Sequence, residues 1–195
     1  MAGTKTRNSI VDEARELFAA RGVDNTTIND IAASSGISRR TVYTYFKSKE
    51  DIYQAVIAGE LETLTRKMSD VVNTNLSPEL KIMEMIFTRL EAIKEVVLRN
   101  GSLKADFFRD IFTVEKVRKS FDRKEIELFR TVLKQGVDAG MFSVDDVYLT
   151  AQITHFCLKG LEIPYIRGNL AMGMSDEVRR KAVLNIVAGA LHYKK

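Results

Sequence analysis

A chain of 195 residues with 45% hydrophobic and 29% charged side chains, two prolines and a mean hydropathy of −0.12 has the composition of a folded protein and not of a disordered linker. Its one cysteine cannot staple the chain to itself, no apolar run approaches the ~18 residues of a membrane span, and the charged opening MAGTKTRNSIVDEA holds no secretory signal, so a cytoplasmic protein without a membrane segment is expected. The net charge of +4 is mild, but residues 31–49 carry Arg39, Arg40, Lys47 and Lys49 and no acid, so this one window equals the surplus of the whole chain.

Apolar residues recur at intervals of three and four throughout, which predicts an all-α fold. The first helix places Ile10, Ala14, Leu17 and Phe18 on one face and stops at Gly22. Thr27 with Asp30 resembles a capping box and opens a short helix carrying Ile28, Ile31 and Ala32. Ser34-Ser35-Gly36 makes a tight turn, Ser38 caps the next short helix, and Ile37 is placed to staple onto Val42. Ser48 with Asp51 starts a long helix through Tyr53, Ile57, Leu61, Leu64 and Met68 to about Val72.

Ser77-Pro78 begins another, with Ile82, Ile86, Leu90, Ile93 and Val97 buried, ending near Asn100-Gly101. Residues 102–118 are irregular and predict one or two short helices bearing Phe107, Phe108 and Phe112. A long helix follows over about 119–139, stopped by Gly140. Ser143 with Asp146 is expected to cap a helix that Pro164 ends or kinks. The segment 168–174 reads as a loop, and a last helix from Ser175 presents Ala182, Val183, Ile186, Val187 and Ala190. The total is about nine helices with no internal repeat.

The segment TTINDIAASSGISRRTVYTYFKSK is a helix, a short turn containing glycine, and a second short helix with basic and aromatic residues outward: a helix-turn-helix pattern. With Ser38 as cap, Arg39, Arg40, Tyr43 and Thr44 share the face opposite Val42 and Phe46. Arginine can donate two parallel hydrogen bonds to guanine O6 and N7, threonine can meet a thymine methyl or a phosphate, and a tyrosine hydroxyl can reach a phosphate. Lys49 adds charge beside the free N–H groups of the next helix.

Residues of about 7–53, through the run GISRRTVYTYFKSKEDIY with Gly36, Tyr43, Tyr45, Phe46, Lys47 and Lys49, resemble the DNA-binding domain of the TetR family of transcriptional repressors. The resemblance implies a three-helix DNA-binding domain over 1–47 and a larger helical ligand-binding and dimerisation domain over 48–195, with 48–72 as the linking helix. It also implies contacts from Thr27 and Lys49 to phosphate, from Arg39, Arg40, Thr41, Tyr43 and Thr44 on the recognition helix, and from Tyr45. Side-by-side arginines are not a fixed feature of that family, which leaves open which of them reads a base.

No catalytic motif is present. His155 and His192 have no neighbour at metal-ligand spacing, and no GxSxG, Walker or GxGxxG pattern occurs, so neither an enzyme nor a bound metal or cofactor is expected. Met83, Phe87, Phe107, Phe108, Phe112, Phe129 and His155 are the expected lining of a pocket for a small, mainly apolar ligand. The expected protein is a homodimer on a palindromic operator in double-stranded DNA, joined through about 143–163 and 175–193, where Ala182, Gly189 and Ala190 permit close approach. The alternative is a DNA-binding dimer whose body binds a partner protein and senses no small molecule.

Overall fold

A computed structural model of the chain describes residues 2–99, 111–168 and 173–191. Among the described residues the elements are eight α-helices and no strand: α1 (Ala2–Arg21), α2 (Ile28–Ser34), α3 (Arg39–Tyr45), α4 (Lys49–Val72), α5 (Pro78–Arg99), α6 (Ile111–Asp138), α7 (Val147–Ile166) and α8 (Asp176–Ala190). Residues 1–62 with 95–119 form one compact unit, and residues 63–94 with 120–195 form a second.

In the first unit Ile10, Ala14 and Phe18 of α1, Ile31 of α2, Val42 of α3 and Ile52 and Val56 of α4 are buried together with Phe46. Phe18 meets Tyr53 edge to face, with ring centroids 6.0 Å apart. Gly36 takes φ +65° in the turn between α2 and α3, a conformation that a side chain would strain. The second unit buries Leu64, Met68, Ile82, Met85, Ile86, Leu90, Phe129, Val132, Leu133, Ala151 and Leu158. These are the stripes that the three-and-four spacing predicts.

Three local expectations change. The long helix expected from about 119 begins at Ile111. The stretch 111–118 has no glycine or proline to interrupt it, so the short helix predicted around Phe112 is its first part. Asp146, not Ser143, is the N-cap of α7 and accepts from Leu149 N at 2.9 Å. Ser143 N instead donates to the carbonyl of Leu191 at 3.1 Å. Of the two outcomes expected at Pro164, an end or a kink, the end does not occur, since α7 runs on to Ile166. A proline in the last turn removes one hydrogen bond, while Arg167 N still reaches the Ile163 carbonyl at 3.0 Å.

Candidate nucleic-acid interface and the charged cluster of the body

The chain enters α2 through a closed capping box. Asp30 N donates to Thr27 Oγ1 at 3.2 Å, Thr27 N donates back to Asp30 Oδ2 at 2.8 Å, and the Thr27 hydroxyl donates to the same oxygen at 2.6 Å. The Thr27 hydroxyl, then the Thr27 N–H, hold the Asp30 carboxyl below its ordinary range. Thr27 is therefore committed within the protein as well as placed at the helix entrance.

Ser38 opens α3 by accepting from Thr41 N at 3.0 Å, and its hydroxyl pairs with that of Thr41 at 2.8 Å. Thr41 thus belongs to the cap and is half-buried. Arg39, Arg40, Tyr43 and Thr44 are exposed on the outer face, opposite buried Val42 and Phe46. Arg39 lies over the Tyr43 ring at 5.4 Å and donates from Nη2 to the Tyr43 hydroxyl at 3.2 Å. Thr44 donates to the Arg40 carbonyl at 3.2 Å, as threonines within helices do. Arg39 is thereby held by its own helix, and Arg40 projects beside it.

Tyr45 and Lys49 are placed differently from these four. Tyr45 is half-buried with its hydroxyl end near Gly3 of α1. The Lys49 amine donates to the carbonyl of Val23 at 2.7 Å and reaches that of Asp24 at 3.5 Å, so it satisfies the turn after α1. Sequence reasoning missed Arg7, whose guanidinium sits 5.0 Å above the ring of Phe46 and ties the start of α1 to the end of α3. The only hint in sequence was its basic character, because the pairing spans 39 residues.

In the second unit, Phe87 and Phe129 are buried, His155 is fully buried and Met83 is half-buried. Phe107 and Phe108 lie outside the described residues, and so does the side chain of Phe112. His155 does not stand in an apolar wall. Its Nε2 is 3.5 Å from Asp122 Oδ1 and its Nδ1 is 3.2 Å from Glu125 Oε2. Asp122 also accepts from Lys159 at 2.9 Å, and Glu125 accepts from the Nε of Arg89. Arg89 in turn donates from Nη2 to Glu162 at 2.6 Å. Burial alone would push the His155 pKa down, but the facing carboxylates of Asp122 and Glu125 raise it to about 9. Burial would likewise lower the Arg89 pKa, and Glu125 and Glu162 outweigh it and raise it. Sequence could not show this cluster, since Arg89, Asp122 and His155 stand more than thirty residues from one another.

A family model described as bacterial regulatory proteins, tetR family, matches residues 10–56, which span α2, α3 and the turn between them. The HTH-type transcriptional repressor KstR2 of Rhodococcus jostii is 31% identical over 144 residues, covering 71% of this chain and 69% of that protein. The chain belongs to the tetR family. It is a DNA-binding transcriptional regulator of the helix-turn-helix type, and its relatives are regulators, not enzymes. A solved transcriptional regulator from Cytophaga hutchinsonii shares the fold with a TM-score of 0.71 at 22% identity, covering 93% of this chain and 94% of that one. The ketosteroid transcriptional regulator KstR2 of Mycobacterium tuberculosis matches with a TM-score of 0.58 at 23% identity, covering 97% and 95%. Among the described residues, no helix of this tetR-family chain is long and apolar enough to cross a membrane.

Proposed function

We propose that this chain represses transcription as a homodimer on a palindromic operator and leaves it when a small, mainly apolar molecule binds in the body. Residues 1–47 act as the DNA-binding part and 48–195 as the body, with 48–72 as the link. The observation that carries the DNA-binding role is the outer face of α3, where Arg39, Arg40, Tyr43 and Thr44 are exposed together on a capped helix, an element whose width a major groove admits. On this assignment Arg39 or Arg40 supplies the base contact. Tyr43, Thr44 and Thr27 serve the backbone, and Thr41, Tyr45 and Lys49 do so from partly buried positions that also hold the domain together.

Dimerisation through α7 and α8 is supported by large apolar side chains left uncovered there. Leu149, Ile153, Phe156 and Ile163 follow one face of α7 at spacings of four, three and seven, and Phe156 is 60% exposed. On α8, Val178 is exposed and Ile186 is 72% exposed. Two-fold symmetry pairs such a stripe with itself and sets two recognition helices about one helical turn apart, ~34–36 Å, on a palindrome. A small apolar ligand is supported by the apolar side chains of buried Phe87 and Phe129 and half-buried Met83, and by a structural relative described as a ketosteroid regulator. Of the other expected lining residues, Phe107, Phe108 and the side chain of Phe112 lie outside the described residues, and His155 is taken up by Asp122 and Glu125. The ligand displaces DNA only if it prefers one of two conformations by a few kcal/mol.

Fluorescence anisotropy with DNA from upstream of the regulated genes, repeated across a panel of lipophilic compounds, tests this function. Expected are saturable binding to a palindromic footprint and its loss with some member of the panel. Binding that no compound changes, with Phe129→Trp also silent, would support a body that binds a partner protein.

A further inference from the structure

We propose that Asp122, Glu125 and His155 form a three-donor site for a divalent transition-metal ion, which clips α6 to α7. The site goes beyond the DNA-binding and ligand-release roles and does not depend on them.

One ring nitrogen of His155 and one oxygen from each carboxylate all lie within 4.8 Å of one another. An ion held tetrahedrally at ~2.0–2.2 Å from each donor needs them about 3.3–3.6 Å apart, so side-chain movements of about an ångström close the site. Asp122 and Glu125 stand one turn apart on α6 and present their carboxylates on one face, toward His155 of α7.

Each carboxylate is already held from behind. Lys159 donates to Asp122 Oδ2 at 2.9 Å and Arg89 Nε donates to Glu125 Oε1, which leaves Asp122 Oδ1 nearest Nε2 of His155 and Glu125 Oε2 nearest Nδ1. Outer partners of this kind fix the orientation of metal ligands. Glu125 Oε2 and both ring nitrogens of His155 are buried and lack a well-directed hydrogen bond, although His155 and Glu125 are wholly buried. Orphaned polar atoms in an interior call for an occupant. Asp122, with its side chain 23% exposed, lies at the rim and gives an ion its way in.

Charge favours a cation here. Asp122, Glu125 and Glu162 carry three negative charges against two fixed positive ones on Arg89 and Lys159, a net of −1. A proton on His155 balances it, and a divalent ion in place of that proton leaves the cluster at +1. One imidazole with two carboxylates suits zinc, cobalt, nickel or manganese better than the all-oxygen cations magnesium and calcium.

The test is titration of the full-length protein, stripped with EDTA, with Co2+ while its visible d–d absorption is followed, and then competition with Zn2+. Expected are one saturable Co2+ per chain without a thiolate charge-transfer band, displacement by Zn2+, and a higher Tm with metal. Asp122→Asn, at the rim, and His155→Gln should each lower affinity at least about tenfold and remove the gain in Tm, and Lys159→Met should lower affinity about 10–100-fold. Cys157→Ser, on an exposed thiol, and His192→Gln should leave binding unchanged. Absence of saturable uptake by the folded wild-type chain would mean that a proton fills the gap, and would overturn the proposal. So would uptake that survives Asp122→Asn or is lost with Cys157→Ser or His192→Gln.

Discussion

The amine of Lys49, in the first turn of α4, donates to the main-chain carbonyl of Val23 at 2.7 Å across 26 residues of sequence. In the same turn Thr26 Oγ1 donates to the Gly22 carbonyl at 2.7 Å and Asn25 donates to the Arg21 carbonyl at 3.0 Å. The carbonyls left over at the end of α1 are thus filled by side chains, and the turn that delivers Thr27 to the start of α2 is fixed.

Lys49→Ala should therefore act before any DNA is present. Loss of a half-buried, charge-assisted hydrogen bond is expected to cost about 1–2 kcal/mol of stability in urea unfolding. Binding should weaken alike for every DNA sequence, with a salt slope lower by about 1 per half-site. Unchanged unfolding would show that the amine does not hold the turn.

The two arginines should separate by their surroundings. Replacing the base-reading arginine is expected to cost about 1–3 kcal/mol and to relax specificity at one operator position. Tyr43→Phe keeps the ring under Arg39 and removes its hydroxyl partner, so it should copy part of Arg39→Ala and leave the effect of Arg40→Ala intact. Anisotropy measured over a set of single-base operator variants reads this directly.

Ile153→Glu or Ile186→Glu should disrupt the proposed dimer without unfolding the protomer, because both side chains are already exposed within it. An apolar contact at the centre of such an interface is worth about 2 kcal/mol or more, so dimer dissociation should rise by about thirtyfold or more in light scattering or sedimentation. An unchanged dimer would place the interface elsewhere.

Gly136 lies inside α6, where alanine ordinarily favours a helix by about 1 kcal/mol. Here the sign should reverse. A Cβ at Gly136 would fall 2.0 Å from Cδ2 and 2.2 Å from Cε2 of Phe142. Gly136→Ala is expected to destabilise by about 1–3 kcal/mol through overpacking, and Phe142→Ala should suppress that added cost in a double-mutant cycle.

His155, raised from 6.5 to about 9 in the folded chain, binds its proton more tightly there than when unfolded. Its contribution to stability is fully present below about pH 6.5 and is lost as pH rises through about 9. The groups facing it are Asp122 and Glu125 of α6, backed by Lys159 and Glu162 of α7 and Arg89 of α5. In EDTA-containing buffer the wild-type chain should lose stability over this window, and His155→Gln should flatten the decline.

The helix-turn-helix was legible in the sequence because its determinants are local. Thr27 with Asp30, glycine at 36 and Ser38 act over three or four residues, and the caps and the left-handed turn form as those spacings require. The helical stripes were legible for the same reason, since a period of 3.6 residues fixes which side chains share a face. The start of α6 was not, because 102–118 offers no regular stripe to mark it. Only tertiary packing decided that Lys49 turns its amine to Val23, and that Tyr45 faces α1 while Arg39 stays on the outer face. Packing likewise brought Arg89, Asp122, Glu125, His155 and Glu162 from three helices into one buried cluster. A buried charge is tolerable only beside opposite charges, and which charges meet is set by how helices dock and not by how residues follow one another in the chain.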